Sequence, residues 1–230
     1  MKTLGMIGGL GPESSIDYYR SILAGYRSRT NNRGYPQIII NSLDVDKGIA
    51  MLDANRLDDL ADYLATGVEA LVRAGADLGF IAANTPHLVF DEVQRRSAIP
   101  LLSIVRATAD RAKALGLRKV GLFGTGFTMR AAFYPIEFER AGISVVTPRE
   151  PERDYIHGKY IGELLKNQFL RETSGEIVRI ARRMKAEEGV EAIVLAGTEL
   201  PLLLRGAEAE VAFLDTTVIH VDAIVDELLA

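Results

Sequence analysis

Thr3-Leu4-Gly5-Met6-Ile7-Gly8-Gly9-Leu10-Gly11-Pro12 is the stretch from which the fold can be read. Its first part, Thr3–Gly8, is an apolar run without polar alternation. Its second part is a glycine turn closed by a proline. An unalternating run reads as a strand buried on both faces, and such strands belong to parallel sheets with helices on either side. The glycines allow close backbone approach, Pro12 suits the first turn of a helix, and a helix N-terminus behind such a turn favours an anion. Gly8-Gly9-Leu10-Gly11 is not the G-x-G-x-x-G of a dinucleotide site. Asp44 and Asp46 also stand too far on to act as its ribose acid.

Six more runs share this character: Gln37–Asn41, Leu78–Ala83, Lys119–Gly124, Ile143–Thr147, Ala192–Ala196 and Val211–Leu214. Between them apolar residues return at helical spacing. From Ile16 they fall at Tyr19, Ile22, Leu23 and Tyr26. From Leu57 they fall at Leu60, Ala61, Leu64, Val68, Leu71 and Val72, with Gly75 as the residue just past the helix. Segments 103–115, 128–141, 153–168, 171–187 and 216–229 read as helices too, with Gly116, Gly142 and Gly189 as stops. This alternation predicts right-handed βαβ units and an α/β fold.

The chain also echoes itself. Gly5-Met6-Ile7-Gly8-Gly9 returns as Gly121-Leu122-Phe123-Gly124-Thr125, an offset of 116 from Gly8 to Gly124. Phe80-Ile81-Ala82-Ala83-Asn84-Thr85-Pro86 returns as Ile193-Val194-Leu195-Ala196-Gly197-Thr198-Glu199, an offset of 114 from Asn84 to Thr198. Offsets so nearly equal imply two lobes of one plan. The expected N-terminal lobe takes residues 1–102 with 216–230, and the C-terminal lobe 103–215. Each is a parallel sheet flanked by helices, with a cleft between the lobes.

Composition narrows the function. The formal charge of −4 and the lack of a basic stripe give no electrostatic reason to expect nucleic acid. Arg95-Arg96 and Arg182-Arg183 read as solvated helix faces. No stretch reaches the roughly 18 apolar residues of a membrane span. Met1-Lys2-Thr3 runs straight into a strand pattern, without the pattern of a signal peptide, so a cytoplasmic location away from membranes is expected. The chain has no cysteine, which excludes disulfides, thiolate metal sites and thiol nucleophiles. His87, His157 and His220 form no H-x-H or H-E-x-x-H pair, so no zinc site is expected.

Ligands of open parallel sheets bind beyond the carboxyl ends of the strands. Four such ends here carry small or hydroxyl residues: Gly8-Gly9-Leu10-Gly11-Pro12, Ala83-Asn84-Thr85-Pro86-His87, Gly124-Thr125-Gly126-Phe127-Thr128 and Gly197-Thr198-Glu199. Their amide, hydroxyl and backbone N–H groups suit a carboxylate. A second carboxylate on the ligand would call for a cation, and Lys47 and Lys166 are the candidates. Each reads equally well as a solvated surface lysine.

These stretches, together with Thr128-Met129, Leu200-Pro201 and Asp215-Thr216-Thr217-Val218-Ile219-His220, resemble the aspartate/glutamate racemase family over nearly the whole chain. The resemblance implies a cofactor-independent amino-acid racemase, two pseudo-symmetric lobes with the substrate between them, and a homodimer. It also implies two cysteines, in C-N-T and G-C-T-E motifs, one on each face of the substrate α-carbon. Racemisation removes a proton from one face and returns one to the other, so one fixed base cannot do both. In this sequence Ala83 and Gly197 stand at the two cysteine positions, and two-thiol racemisation is not available to it.

The remaining motif positions carry over residue by residue. By resemblance, Gly9, Leu10, Asn84, Thr85, Thr125, Thr128 and Thr198 hold the substrate's α-carboxylate and amino group. Glu199 and His220 stand behind the second catalytic position, Lys47 and Lys166 lie towards the distal carboxylate, and His87 is a supporting residue. Plainer roles stand beside these. His87 also suits packing of the helix that begins at Pro86, His220 also suits anchoring of the last helix to the sheet, and Glu199 suits the first turn of a helix. Three functions follow: an aspartate/glutamate-type racemase without its thiols; another isomerase or lyase chemistry using Glu199, His87 or Lys47; or a non-catalytic binder of a small amino acid or dicarboxylate.

Overall fold

Leu4–Gly8, buried throughout, forms β1 and pairs in parallel with β2 (Ile38–Ser42) on one side and β3 (Leu78–Ile81) on the other. A two-residue strand, β4 (Leu101–Leu102), joins the far side of β3. In the computed structural model, which describes residues 2–31, 33–207 and 209–230, this sheet has the order β2-β1-β3-β4. The reading of Met1-Lys2-Thr3 is therefore followed from Lys2, since Met1 lies outside the described residues. A second parallel sheet contains β5 (Lys119–Gly124), β6 (Ser144–Val146), β7 (Ala192–Ala196) and β8 (Ala212–Asp215), in the order β6-β5-β7-β8. The two orders correspond strand for strand, so the internal echo is a repeated topology.

The chain divides into two compact units, Met1–Ile104 with His220–Ala230, and Val105–Ile219. In the first, β1 sends Leu4 and Met6 to one face and Ile7 to the other, as strand pleating requires. Leu4 and Met6 pack with Tyr18 and Ile22 of α1 (Pro12–Arg29) and with Ile224 and Val225 of α11 (Thr216–Leu229). Ile7 packs with Leu60, Leu64 and Val68 of α3 (Leu57–Arg73) and with Phe90 and Val93 of α4 (Phe90–Arg96). Both faces are covered, which is why the strand sequences are apolar without alternation. A short helix, α2 (Val45–Asp53), follows β2; the Asp44 side chain caps it by accepting from the Asp46 amide at 3.0 Å.

In the second unit α5 (Ile104–Ala114), which enters it from its second residue on, precedes β5. One face of the sheet packs Phe123, Ile193 and Leu195 against Ile156, Tyr160 and Leu164 from α8 (Glu150–Gly162) and the turn after it, and against Ile177 and Ile180 of α9 (Arg171–Arg183). Arg183 grips Glu152 with two nitrogens, at 2.6 and 2.7 Å, and ties α9 to α8. Gly189 adopts a left-handed backbone, φ +69°, and stops the π turn Met184–Glu188 that ends α9.

The structure departs from the sequence reading at segment 128–141. Two helices stand there, α6 (Gly126–Arg130) and α7 (Phe133–Arg140), separated by an extended Ala131. Pro135 is the cause. Within one continuous helix its ring would meet the carbonyl of Ala131 and its missing N–H would leave that carbonyl unbonded. Restarting at Phe133 puts the proline in a first turn, where no such bond is needed. Similarly, segment 153–168 is α8 followed by a 3₁₀ turn, Leu164–Lys166, with Asn167 left-handed at φ 58°. Among the described residues no helix is long and apolar enough to cross a membrane.

His220 lies in α11 and is fully buried in the first unit. Its Nε2 bonds the Leu102 carbonyl at 3.1 Å, an oxygen that can only accept, so Nε2 carries the proton. Nδ1 then accepts from the Tyr18 hydroxyl at 3.0 Å. The imidazole edge-packs on Tyr18 and Phe80. Burial first, and the neighbouring His87 second, push its pKa down to about 3. An unfolded chain takes up a proton near pH 6.5, whereas the folded one stays neutral. The stabilisation is thus complete above about pH 6.5 and is lost as pH falls towards 3, at up to about 1.4 kcal/mol per pH unit. Denaturant unfolding measured from pH 7 to 4 should show this slope. His220→Asn should be less stable at pH 7 and shallower by close to one proton; equal slopes in the two proteins would show that His220 is not the group responsible.

Candidate active site at the strand ends

The central strands of each sheet set the loops side by side. In the first unit β1 and β3 are neighbours, and the Ala82 amide donates to the Ile7 carbonyl at 2.9 Å. The Ser14 hydroxyl, from the first turn of α1, donates to the Ala82 carbonyl at 3.0 Å. Next to it, Ser15 Oγ accepts from the Gly9 amide at 2.8 Å. Gly9 has φ +79°, and a Cβ there would run into the backbone of Leu43, so only glycine fits. Leu10 packs with the hydrophobic cluster behind β1, and Gly48 of α2 faces its side chain.

β3 ends at Ile81, leaving Ala82 to Asn84 as a tight turn into a 3₁₀ turn, Thr85–Val89. Ala83 and Asn84 are buried and Thr85 is half-buried. His87 lies under this turn. Its Nδ1 donates to the Ala83 carbonyl at 3.0 Å, Nε2 accepts from the Ile104 amide at 3.3 Å, and the ring stacks on Phe90. Both ring nitrogens are thus engaged with backbone, so His87 holds the turn in place.

In the second unit β5 and β7 run level to their last residues, Gly124 opposite Ala196. A Cβ at Gly124 would lie 2.6 Å from the Ala196 carbonyl, so the two chains leave the sheet in close contact. Thr125 caps α6: its hydroxyl accepts from the Thr128 amide at 3.2 Å and lies 3.2 Å from the Thr128 hydroxyl. The Gly126 amide donates to His157 Nδ1 at 3.0 Å. Thr216 donates to the Leu195 carbonyl at 2.8 Å and fixes the end of β7.

Gly197 is the informative residue of this loop. It has no positive φ, so backbone conformation does not demand glycine. Space does. A Cβ built there would stand 2.5 Å from Tyr160 Cε2, 2.8 Å from its hydroxyl oxygen and 3.0 Å from Cζ. The Tyr160 ring of α8 occupies the volume that a side chain at position 197 would need. Its hydroxyl donates to Glu199 Oε2, and the Thr198 hydroxyl donates to the same oxygen at 2.9 Å. Tyr160 is 4% exposed and Glu199 3%. Burial raises the Glu199 carboxyl above its usual range, opposed by the hydroxyls of Tyr160 and Thr198. Burial and then the Glu199 charge raise the Tyr160 phenol well above its usual value. The trio is a buried acid–base cluster at the end of β7, from which two O–H donors converge on one carboxylate oxygen.

Neither His157 nor Tyr160 was a candidate from sequence. They sit three apart on α8 and so share a face, one bonding the Thr125 loop and the other the Gly197 loop. That spacing was the one signal available for them. Lys47 and Lys166 are exposed, on α2 and on the turn after α8 respectively. Glu199 is the residue preceding the short helix α10 (Leu200–Leu203), with its carboxylate turned to Tyr160. His220 bonds Tyr18 and Leu102, within the first unit.

Comparison with known proteins follows the same lines. The profile of the Asp/Glu/hydantoin racemase family matches residues 7–224. The broad specificity amino-acid racemase RacX of Bacillus subtilis is 25% identical over 154 residues, 62% of this chain and 63% of RacX, so the match spans under two thirds of that relative's length. A Yersinia pestis structure provisionally classed as an Asp/Glu racemase superposes with a TM-score of 0.90 at 32% identity, covering both chains fully. An aspartate racemase homologue from Pyrococcus horikoshii gives 0.85 at 34% identity, also over both full chains. The repeated parallel sheets, the order of the strand-end motifs and these matches agree: the chain belongs to the Asp/Glu/hydantoin racemase family.

Proposed function

We propose that this chain binds a small amino acid or dicarboxylate of the aspartate/glutamate type and does not interconvert its enantiomers by the two-thiol route. The observation that carries this is the filled seat at Gly197. The place of the second thiol is filled by the Tyr160 phenol, and Ala83 offers no titratable group. A proton-transfer group contributes about 10²–10⁴ in rate, and a two-face exchange needs one on each side. The recognition residues are a separate matter. Gly9, Leu10, Asn84, Thr85, Thr125, Thr128 and Thr198 remain in the motifs, and hydroxyls, amides and helix starts suffice to bind a carboxylate. Lys47 and Lys166 are the cations proposed for a distal carboxylate. A homodimer and a cytoplasmic setting are proposed on the same family grounds.

Thermal unfolding with the L- and D-forms of aspartate and glutamate tests binding. An acid that binds the folded chain raises its melting temperature, by about 2.7 kcal/mol of stability at a hundred times its Kd. Asn84→Ala should weaken the binding about tenfold, as expected for one lost hydrogen bond to a charged group. Polarimetry on the same samples should show no interconversion. Racemisation by the parent chain, or melting unmoved by every acid, would overturn the proposal.

A further inference from the structure

We infer that Tyr160, backed by Glu199, is a proton-transfer group acting on one face only of the bound acid's α-carbon, an oxygen acid–base pair in place of the second thiol. The inference rests on the small-acid reading above. Three observations point to it. The Tyr160 hydroxyl oxygen stands 2.8 Å from where a Cβ at position 197 would be, so a phenol oxygen lies at the place of the missing side chain. That hydroxyl donates to a carboxylate which also receives Thr198, an arrangement that can take the phenolic proton as the phenol oxygen gains another. Finally, Ala83 carries no titratable group, so the other cysteine motif supplies no second proton-transfer group.

The step balances without a further reagent. With Glu199 ionised, the α-C–H bond breaks and its proton forms a new O–H bond on Tyr160. The original phenolic proton passes to Glu199 Oε2. The C–H electron pair stays on the substrate and spreads into its carboxylate as an enediolate. Reversal returns a proton to the same face. In this scheme Tyr160 is the catalytic residue and Glu199 a positioning residue that acts through it. The burial that raises the Glu199 carboxyl makes it a stronger base than an exposed glutamate.

The test is proton NMR in D₂O, following the α-proton of L- and D-aspartate and of L- and D-glutamate with the intact chain. One enantiomer of a bound acid should lose its α-proton signal while its optical rotation holds. Tyr160→Phe keeps the ring in its seat and should slow the exchange about a hundredfold or more. Glu199→Gln keeps an acceptor for both hydroxyls; it should slow exchange too, and abolish the rise in rate with pH that ionisation of Glu199 confers. The inference is overturned if no acid that stabilises the fold exchanges, if Tyr160→Phe exchanges at the parent rate, or if both enantiomers exchange equally. Melting that no acid shifts would instead remove the small-acid reading, and this inference with it.

Discussion

The ladder between β5 and β7 runs to the final residue of each strand, Gly124 opposite Ala196, and the site in the second unit follows from that level ending. Two chains that leave a sheet at the same height must turn within a few ångströms of each other. Gly124 permits it, having no Cβ to strike the Ala196 carbonyl. The same ladder presents Gly197, Thr198 and Glu199 to α8, which Ile156, Tyr160 and Leu164 press onto the sheet and Arg183 holds through Glu152. The first unit repeats the device. β1 and β3 are neighbours, and Ser14 and Ser15 of α1 bind the Ala82 carbonyl and the Gly9 amide.

The sequence shows this frame clearly because the frame depends on local pattern. Among the described residues, seven of the eight strands announce themselves as unalternating apolar runs, and β5 and β7 have the bounds read from sequence. β4 escapes notice because two residues after a proline make no pattern. The division of 128–141 into α6 and α7 is legible in hindsight from Pro135, whereas apolar spacing alone joins the two helices across the extended Ala131. Glycine stops such as Gly189 read correctly since a left-handed residue after a helix favours glycine on steric grounds alone.

The site is less legible, for a physical reason. A glycine at position 197 reads in sequence as a side chain taken away. In the fold it is a volume taken over, by a tyrosine on another helix. The Tyr160–Glu199 bond spans 39 positions and depends on how α8 packs across β7, which no motif encodes. His87 and His220 illustrate the reverse case. Both look chemically suggestive in sequence, yet their ring nitrogens are spent on Ala83, Ile104, Tyr18 and Leu102. Glycine at 197 and tyrosine at 160 therefore form a matched pair, and replacing one alone should meet the other.

A double-mutant cycle on stability reads that match directly. Gly197→Ala in the parent places a Cβ against the Tyr160 ring and should cost about 1–3 kcal/mol, the usual penalty of overpacking. In a Tyr160→Ala background the seat is vacant, and the same substitution should cost close to nothing, giving a coupling well above the roughly 0.5 kcal/mol seen between independent sites. Equal costs of Gly197→Ala in both backgrounds would mean that Tyr160 does not fill the place of the second thiol.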